Sequence, residues 1–229
     1  MIVLVWALPQ MSTDIYLPSM PSMAHYFGTS LSMVQYTIFF YTIGFSFGAL
    51  FFGPISDRIG RRPVILWSLV LAAFGCLIAL ISTNLNILFA ARLIQGVALV
   101  GVGSTMRAVT KDICTDKEEM AKFGALLGIA IPIAAAVAPV IGGYIEQYAN
   151  WRISFAFLLV YTLIFLMYTV KKLPETNHEK LERPFKFLLL DYKEVLTNGQ
   201  FFRYNAITAF ALCSMFAYLT VSPYLLQVK

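Results

Sequence analysis

Apolar positions run almost unbroken along this chain, in seven stretches separated by short polar segments: Ile2–Pro18, Leu31–Ile55, Pro63–Ser82, Leu85–Met106, Phe123–Ile145, Ile153–Val170 and Tyr204–Leu226. Each reaches or nearly reaches the roughly 20 residues that carry a helix across the hydrocarbon of a bilayer. The pattern predicts an all-α, polytopic membrane protein, because backbone groups in lipid must find their hydrogen bonds inside their own segment. Composition agrees. With 59% hydrophobic residues, 13% charged residues and a mean hydropathy of +0.74, the chain does not describe a water-facing surface.

The formal net charge of +5 invites a nucleic-acid reading, which the placement of the basic residues argues against. Arg58, Arg61 and Arg62 lie between the second and third runs, and Arg107, Lys111, Lys117 and Lys122 lie between or beside the fourth and fifth. Lys171, Lys172, Lys180, Arg183, Lys186, Lys193 and Arg203 lie between the sixth and seventh, whereas the alternate loops hold only Arg152. This asymmetry places the amino terminus and the basic loops on the cytoplasmic side of the membrane. The first run lacks a basic leader and carries Asp14, Pro18 and Pro21, which argues against a cleaved signal peptide. Cys76, Cys114 and Cys213 have neither paired spacing nor histidine partners, so no metal site, disulfide framework or cofactor is expected. His25 and His178 read as solvated loop side chains.

Short outer loops and longer inner ones suit helices packed as hairpins. The expected domains are an amino-terminal bundle over 1–171, a cytoplasmic linker over 172–199, and a seventh span over 200–229. Within the linker, Pro184, Phe185, Phe187, Leu188, Leu189, Tyr192, Val195 and Leu196, stopped by Asn198-Gly199, read as an amphipathic helix lying on the membrane. Gly53, Ile55 and Arg62 recur ninety residues later as Gly143, Ile145 and Arg152. The second run leaves inward and the fifth outward, so the recurrence predicts a three-plus-three inverted repeat.

Candidate chemistry starts from the two ionisable residues inside the runs, Asp14 and Arg92. Such a group costs roughly 2.5 kcal/mol or more in hydrocarbon and is seldom kept without a use. Arg92 lies about 10 Å and Asp14 about 6 Å from the outer ends of their helices at 1.5 Å per residue. The matched depth predicts an ion pair or a shared water. Gln10, Asp14 and Pro18 form one polar stripe, and Arg92 with Gln95 another, both expected to face a cavity. Tyr41, Met11 and Phe45 are candidate lining residues.

The segment from Gly53 to Pro63 reads as a loop in which Gly53 and Gly60 allow close approach and a tight turn. Asp57, Arg58, Arg61 and Arg62 supply charge there, with Asp112 as a second acceptor at the same level, so the cluster is a candidate inner gate. The fifth run carries Pro132, Ala134, Ala135, Ala136, Ala138, Pro139, Gly142 and Gly143, which read as a bent, closely packed helix. Gly44 and Gly48 are a second close-packing candidate.

The run Gly53-x-x-x-Asp57-Arg58-x-Gly60-Arg61-Arg62 resembles the signature loop of the major facilitator superfamily, and Arg92-x-x-Gln95-Gly96 resembles its fourth-helix motif. The stretch Ser12-Thr-Asp14-Ile-Tyr16-Leu-Pro18-Ser-Met-Pro21, with Gly53-Pro54 and Arg61-Arg62-Pro63, is similar to the bicyclomycin and chloramphenicol resistance branch of drug:proton antiporters. The resemblance implies a proton or substrate site at Asp14 with Arg92, Gln10, Gln95 and Tyr41, and an inner gate on the Gly53–Arg62 segment with Asp112. It also implies a helix-packing motif with Gly96, Pro139, Gly142 and Gly143. Ala125, Ala134 and Ala138 stand where that branch usually has glycine. Twelve spans are expected of the family against seven here, so the chain is expected to be an amino-terminal half that needs a second bundle.

The expected function is proton-coupled efflux of small lipophilic drugs by alternating access, with protons, drug and lipid as partners and no enzymatic activity. The alternatives are transport of a polar metabolite, or a half-transporter or non-transporting remnant.

Overall fold

The computed structural model describes residues 2–114, 116–177, 192, 195 and 197–227. Its helices are α1 (Ile2–Asp14), α2 (Met20–Tyr26), α3 (Leu31–Ile59), α4 (Arg61–Ile81), α5 (Leu85–Ile113), α6 (Lys117–Tyr148), α7 (Trp151–Lys172) and α8 (Gly199–Gln227). Short polar side chains set several starts by taking orphan backbone N–H groups. Ser30 accepts from Met33, Asn84 from Ile87, Asp116 from Glu119 and Asn150 from Arg152. By length and hydropathy, α3 to α7 can each cross a membrane.

The first apolar run departs from the expected single span. Helix α1 stops at Asp14, a 3-10 turn occupies Leu17–Ser19, and α2 follows, carrying His25 in its last turn instead of in a loop. Pro18 explains the break: it offers no N–H to the Asp14 carbonyl, and its ring excludes the helical carbonyl one turn back.

The expected Gly53–Pro63 loop is also mostly helical. α3 continues through Asp57 and Arg58 to Ile59, leaving only Gly60 between α3 and α4. Gly60 has φ +111°, a conformation that favours glycine.

The chain forms two compact units, Met1–Leu181 and Glu182–Lys229. In the first, α3 packs along α5, α5 on α4, α4 on α7, and α1 on α6 and α5. Glycines set two of the closest crossings. A methyl group on Gly96 would strike the backbone of Tyr41 and Phe45, and one on Gly44 the backbone of Leu93 and Val97. In the second unit, Tyr192, Val195 and Thr197 are helical and the helix breaks at Asn198, the expected stop; Asn198 also caps α8, accepting from Gln200 at 3.0 Å and Phe201 at 3.3 Å. The amphipathic-linker positions Pro184, Phe185, Phe187, Leu188, Leu189 and Leu196 lie outside the described residues.

The inverted repeat is visible in three dimensions. Trp151 opens α7 ninety residues after Arg61 opens α4. The second residue of each helix then reaches the far end of the other: Arg62 donates to the Val170 carbonyl at 2.8 Å, and Arg152 donates to the Ser82 carbonyl at 2.9 Å.

Candidate functional site

Two polar clusters occupy opposite ends of the first unit. At the Asp14 end, the break in the first run leaves the last carbonyls of α1 without helical donors. Arg92 of α5 uses one of them: its Nη1 donates to the Ser12 carbonyl at 3.0 Å, to Ser12 Oγ at 3.2 Å and to Gln95 Oε1 at 2.6 Å. The guanidinium carbon lies over two rings, 4.6 Å from the centroid of Tyr16 and 4.4 Å from that of Tyr41. Both rings present a negative face to the cation. Arg92 is 0% exposed, and its Nε and Nη2 have no hydrogen-bond partner.

Asp14 does not form the expected ion pair with Arg92. Its Oδ2 accepts from Gln10 Nε2, one helical turn earlier, at 2.6 Å, while the guanidinium is engaged by Ser12 and Gln95. The two residues still lie close enough for the charge of Arg92 to act on Asp14. Asp14 and Gln10 are half-buried, whereas Gln95 is fully buried and donates to Cys76 Sγ at 3.2 Å. Tyr41 is buried, stacks on Phe45, and donates its hydroxyl to the Pro9 carbonyl at 3.0 Å. Met11 belongs to the core. Tyr41 and Met11 are therefore packing partners of this cluster and do not line an open cavity.

The opposite end is organised by Arg61. Its Nη1 pairs with Asp57 and donates to Ser56 Oγ at 2.8 Å, while its Nε donates to Asp112 at 3.0 Å. Three helices thus meet on one guanidinium. Arg58 sits in the last turn of α3, where the helix dipole favours a cation. Arg62 instead turns away to α7.

Glu175, just past α7, folds back onto this junction. Its carboxylate accepts from the backbone N–H groups of Arg61 at 2.8 Å, Arg62 at 3.2 Å, and Thr176 and Asn177 at 3.0 Å each. A methyl group on Gly60 would strike this carboxylate. Burial favours the protonated form of Glu175, but the N–H donors of Asn177, Arg61, Arg62 and Thr176 outweigh it and hold the carboxyl below its ordinary range. Thr176 Oγ1 donates to Asp112 at 3.3 Å, and Asn177 Nδ2 donates to the Asp57 carbonyl at 2.9 Å.

The expected packing residues divide. Gly142 meets the backbone of Ile15, and Ala138 and Ala134, one and two turns before it, are buried. These small residues recur every four positions, along one face of α6, the helix that packs on α1. Pro139 is half-buried beside them, inside the helix. Gly53 and Gly143 have nothing within 4 Å of where a Cβ would stand, so neither serves a close approach within this unit. Ser12 and Tyr16, noted only within a motif, Cys76, noted only as an unpaired cysteine, and Glu175 are site residues that the sequence did not single out. Tyr16 had a usable signal, an aromatic two residues after a membrane carboxylate. Glu175 had none, since 114 positions separate it from Arg61.

Comparison with known proteins places this geometry in context. A family model for the Major Facilitator Superfamily matches residues 3–229. Multidrug resistance protein D of Escherichia coli (strain K12) is 33% identical over 223 residues, covering 93% of this chain and 56% of that protein. A bicyclomycin resistance protein homolog of Haemophilus influenzae is 31% identical over 229 residues, covering 93% and 54%. A chloramphenicol resistance protein of Pseudomonas aeruginosa is 28% identical over 224 residues, covering 96% and 52%. The chain therefore spans about half the length of these relatives. The crystal structure of the human organic anion transporter MFSD10 (TETRAN) superposes with a TM-score of 0.63 at 20% identity, covering 82% of this chain and 50% of that one, a likeness of fold. Sequence motifs, helical architecture and relatives converge on one assignment: this chain belongs to the major facilitator superfamily.

Proposed function

We propose that the chain is the amino-terminal bundle of a bacterial inner-membrane exporter that drives small lipophilic drugs outward in exchange for protons. One observation carries the reading: a fully buried guanidinium with two unpartnered nitrogens stands beside a half-buried carboxylate within the apolar part of the bundle. A membrane protein retains such a pair at a steep solvation cost when the pair is used. In this reading Asp14 takes a proton from the outer side and releases it inward as drug leaves, and Arg92 adjusts its affinity for that proton. Gln10, Gln95 and Tyr41 hold the two in place.

The Arg61, Asp57 and Asp112 cluster is the cytoplasmic gate of this scheme, and the amino terminus is cytoplasmic. Alternating access requires a second bundle. The half-length match to the relatives supports that requirement, as does the broad exposed apolar face of α6, with Ile129, Ile133, Val137 and Val140. The reading is tested in vesicles carrying the intact gene product. Asp14→Asn is expected to abolish drug-dependent proton movement while the protein still accumulates in the membrane; undiminished coupling removes Asp14 from the mechanism.

A further inference from the structure

Tyr16 joins three helices at the Asp14 cluster. It is 0% exposed, and its ring, like that of Tyr41, lies within 4.6 Å of the Arg92 guanidinium carbon. The same ring lies 5.5 Å from that of Phe155 on α7. Its hydroxyl is 3.1 Å from that of Thr37 on α3, which itself donates to the Val34 carbonyl at 2.7 Å. One residue in the break of the first run therefore touches α3, α5 and α7, two positions from the membrane carboxylate.

A guanidinium between two parallel demands has a choice of partner. Here its Nη1 is spent on Ser12 and Gln95, and the Nε and Nη2 edge is bare. A carboxylate is the stronger partner for a guanidinium, because bidentate charge-assisted bonds exceed those to a carbonyl or an amide. Asp14 nonetheless keeps to Gln10. The two rings provide the restraint, since a guanidinium drawn toward Asp14 gives up its close approach to the tyrosine centroids, 4.6 and 4.4 Å away.

We propose that Tyr16 is the positioning residue of this site: its ring holds Arg92 on Ser12 and off Asp14, and its hydroxyl bond to Thr37 ties that restraint to α3. The inference rests on the reading of Asp14 as the proton-exchanging group. Its consequence is a graded control of proton exchange. With the restraint gone, Arg92 closes on Asp14 and stabilises the carboxylate, and proton-coupled transport then needs a more acidic medium. The other ionisable groups facing the pair are Tyr41 on α3 and Cys76 on α4, and both stay in place in the variants below.

The test is the pH midpoint of drug-dependent proton uptake by the intact gene product in vesicles. Tyr16→Leu is expected to move the midpoint toward acid by about one pH unit, the scale of an opposite charge brought within 4 to 6 Å. Tyr16→Phe and Thr37→Val, which keep shape and packing, are expected to move it the same way by a smaller amount. Combined, they should go no further than either alone, because both remove the same bond. Midpoints within a tenth of a unit of wild type in both conservative variants, or a loss of rate equal at every pH, overturn the proposal even if Tyr16→Leu fails to fold. Coupling that survives Asp14→Asn overturns the underlying reading instead. Coupling lost in Asp14→Asn with unmoved midpoints in the Tyr16 series overturns the positioning role alone.

Discussion

Glu175 shows how much a single carboxylate can organise once chain direction brings it to a helix start. Four backbone N–H groups converge on it, two of them orphan donors of α4, and the partial positive charge of a helix amino terminus adds to them. The sign of its pH dependence follows from its depressed proton affinity. The anchoring is fully present above the ordinary glutamate value of about 4.5 and is lost as pH falls below it through the lower folded-state value. Amide hydrogen exchange at Arg61 and Arg62, corrected for the intrinsic effect of pH, should therefore lose protection in acid. Glu175→Gln should lose part of it already at neutral pH, and equal protection in that variant would show that the carboxylate is not the anchor. At this scale the sequence was legible where chemistry is rare. Asp14 and Arg92 stood out because they are the only charges in the apolar runs. Gln95 was legible as a companion of Arg92 from its spacing, whereas Ser12 and the two aromatic rings were not, because contacts between α1, α3 and α5 leave no spacing in the sequence.

The helices themselves were read well in number and poorly in their ends. Hydrophobicity reports where a segment stops being apolar, whereas a helix stops where its backbone loses a donor or finds a cap. Asp57, Arg58, Lys111 and Asp112 are polar yet helical, so α3 and α5 outrun their apolar stretches. The first run shows the reverse, since Pro18 ends α1 inside an apolar stretch. Glycines were also read too evenly. Gly96→Ala and Gly142→Ala each press a methyl group into the backbone of a neighbouring helix. Each should lower stability by about 1 to 3 kcal/mol, the usual cost of overpacking. Gly53→Ala, with open space at its Cβ and a helical backbone, should be neutral or gain up to about 1 kcal/mol from helix propensity. Thermal unfolding in detergent ranks the three, and a Gly53→Ala loss as large as that of Gly96→Ala would refute the packing assignment.

Across the whole first unit, the repeat noticed in three residue types becomes a reciprocal contact between α4 and α7. Arg62 and Arg152 occupy matching positions and close opposite ends of the same helix pair. Arg152 has the additional cover of Tyr26 and Trp151, at 4.5 and 4.3 Å from their ring centroids. Alanine at either position should cost about 1 kcal/mol, somewhat more at Arg152 because of its ring contacts. The two sites lie about 30 Å apart along α4 at 1.5 Å per residue, so the losses should add in the double variant. Chemical unfolding of the single and double variants measures this, and strong non-additivity would mean that the two ends communicate. The lone glycine joining α3 to α4 carries a mechanical corollary. With no slack between them, neither helix can slide along its own axis like a piston without dragging the other, so a shift of either one is a shift of the joined pair.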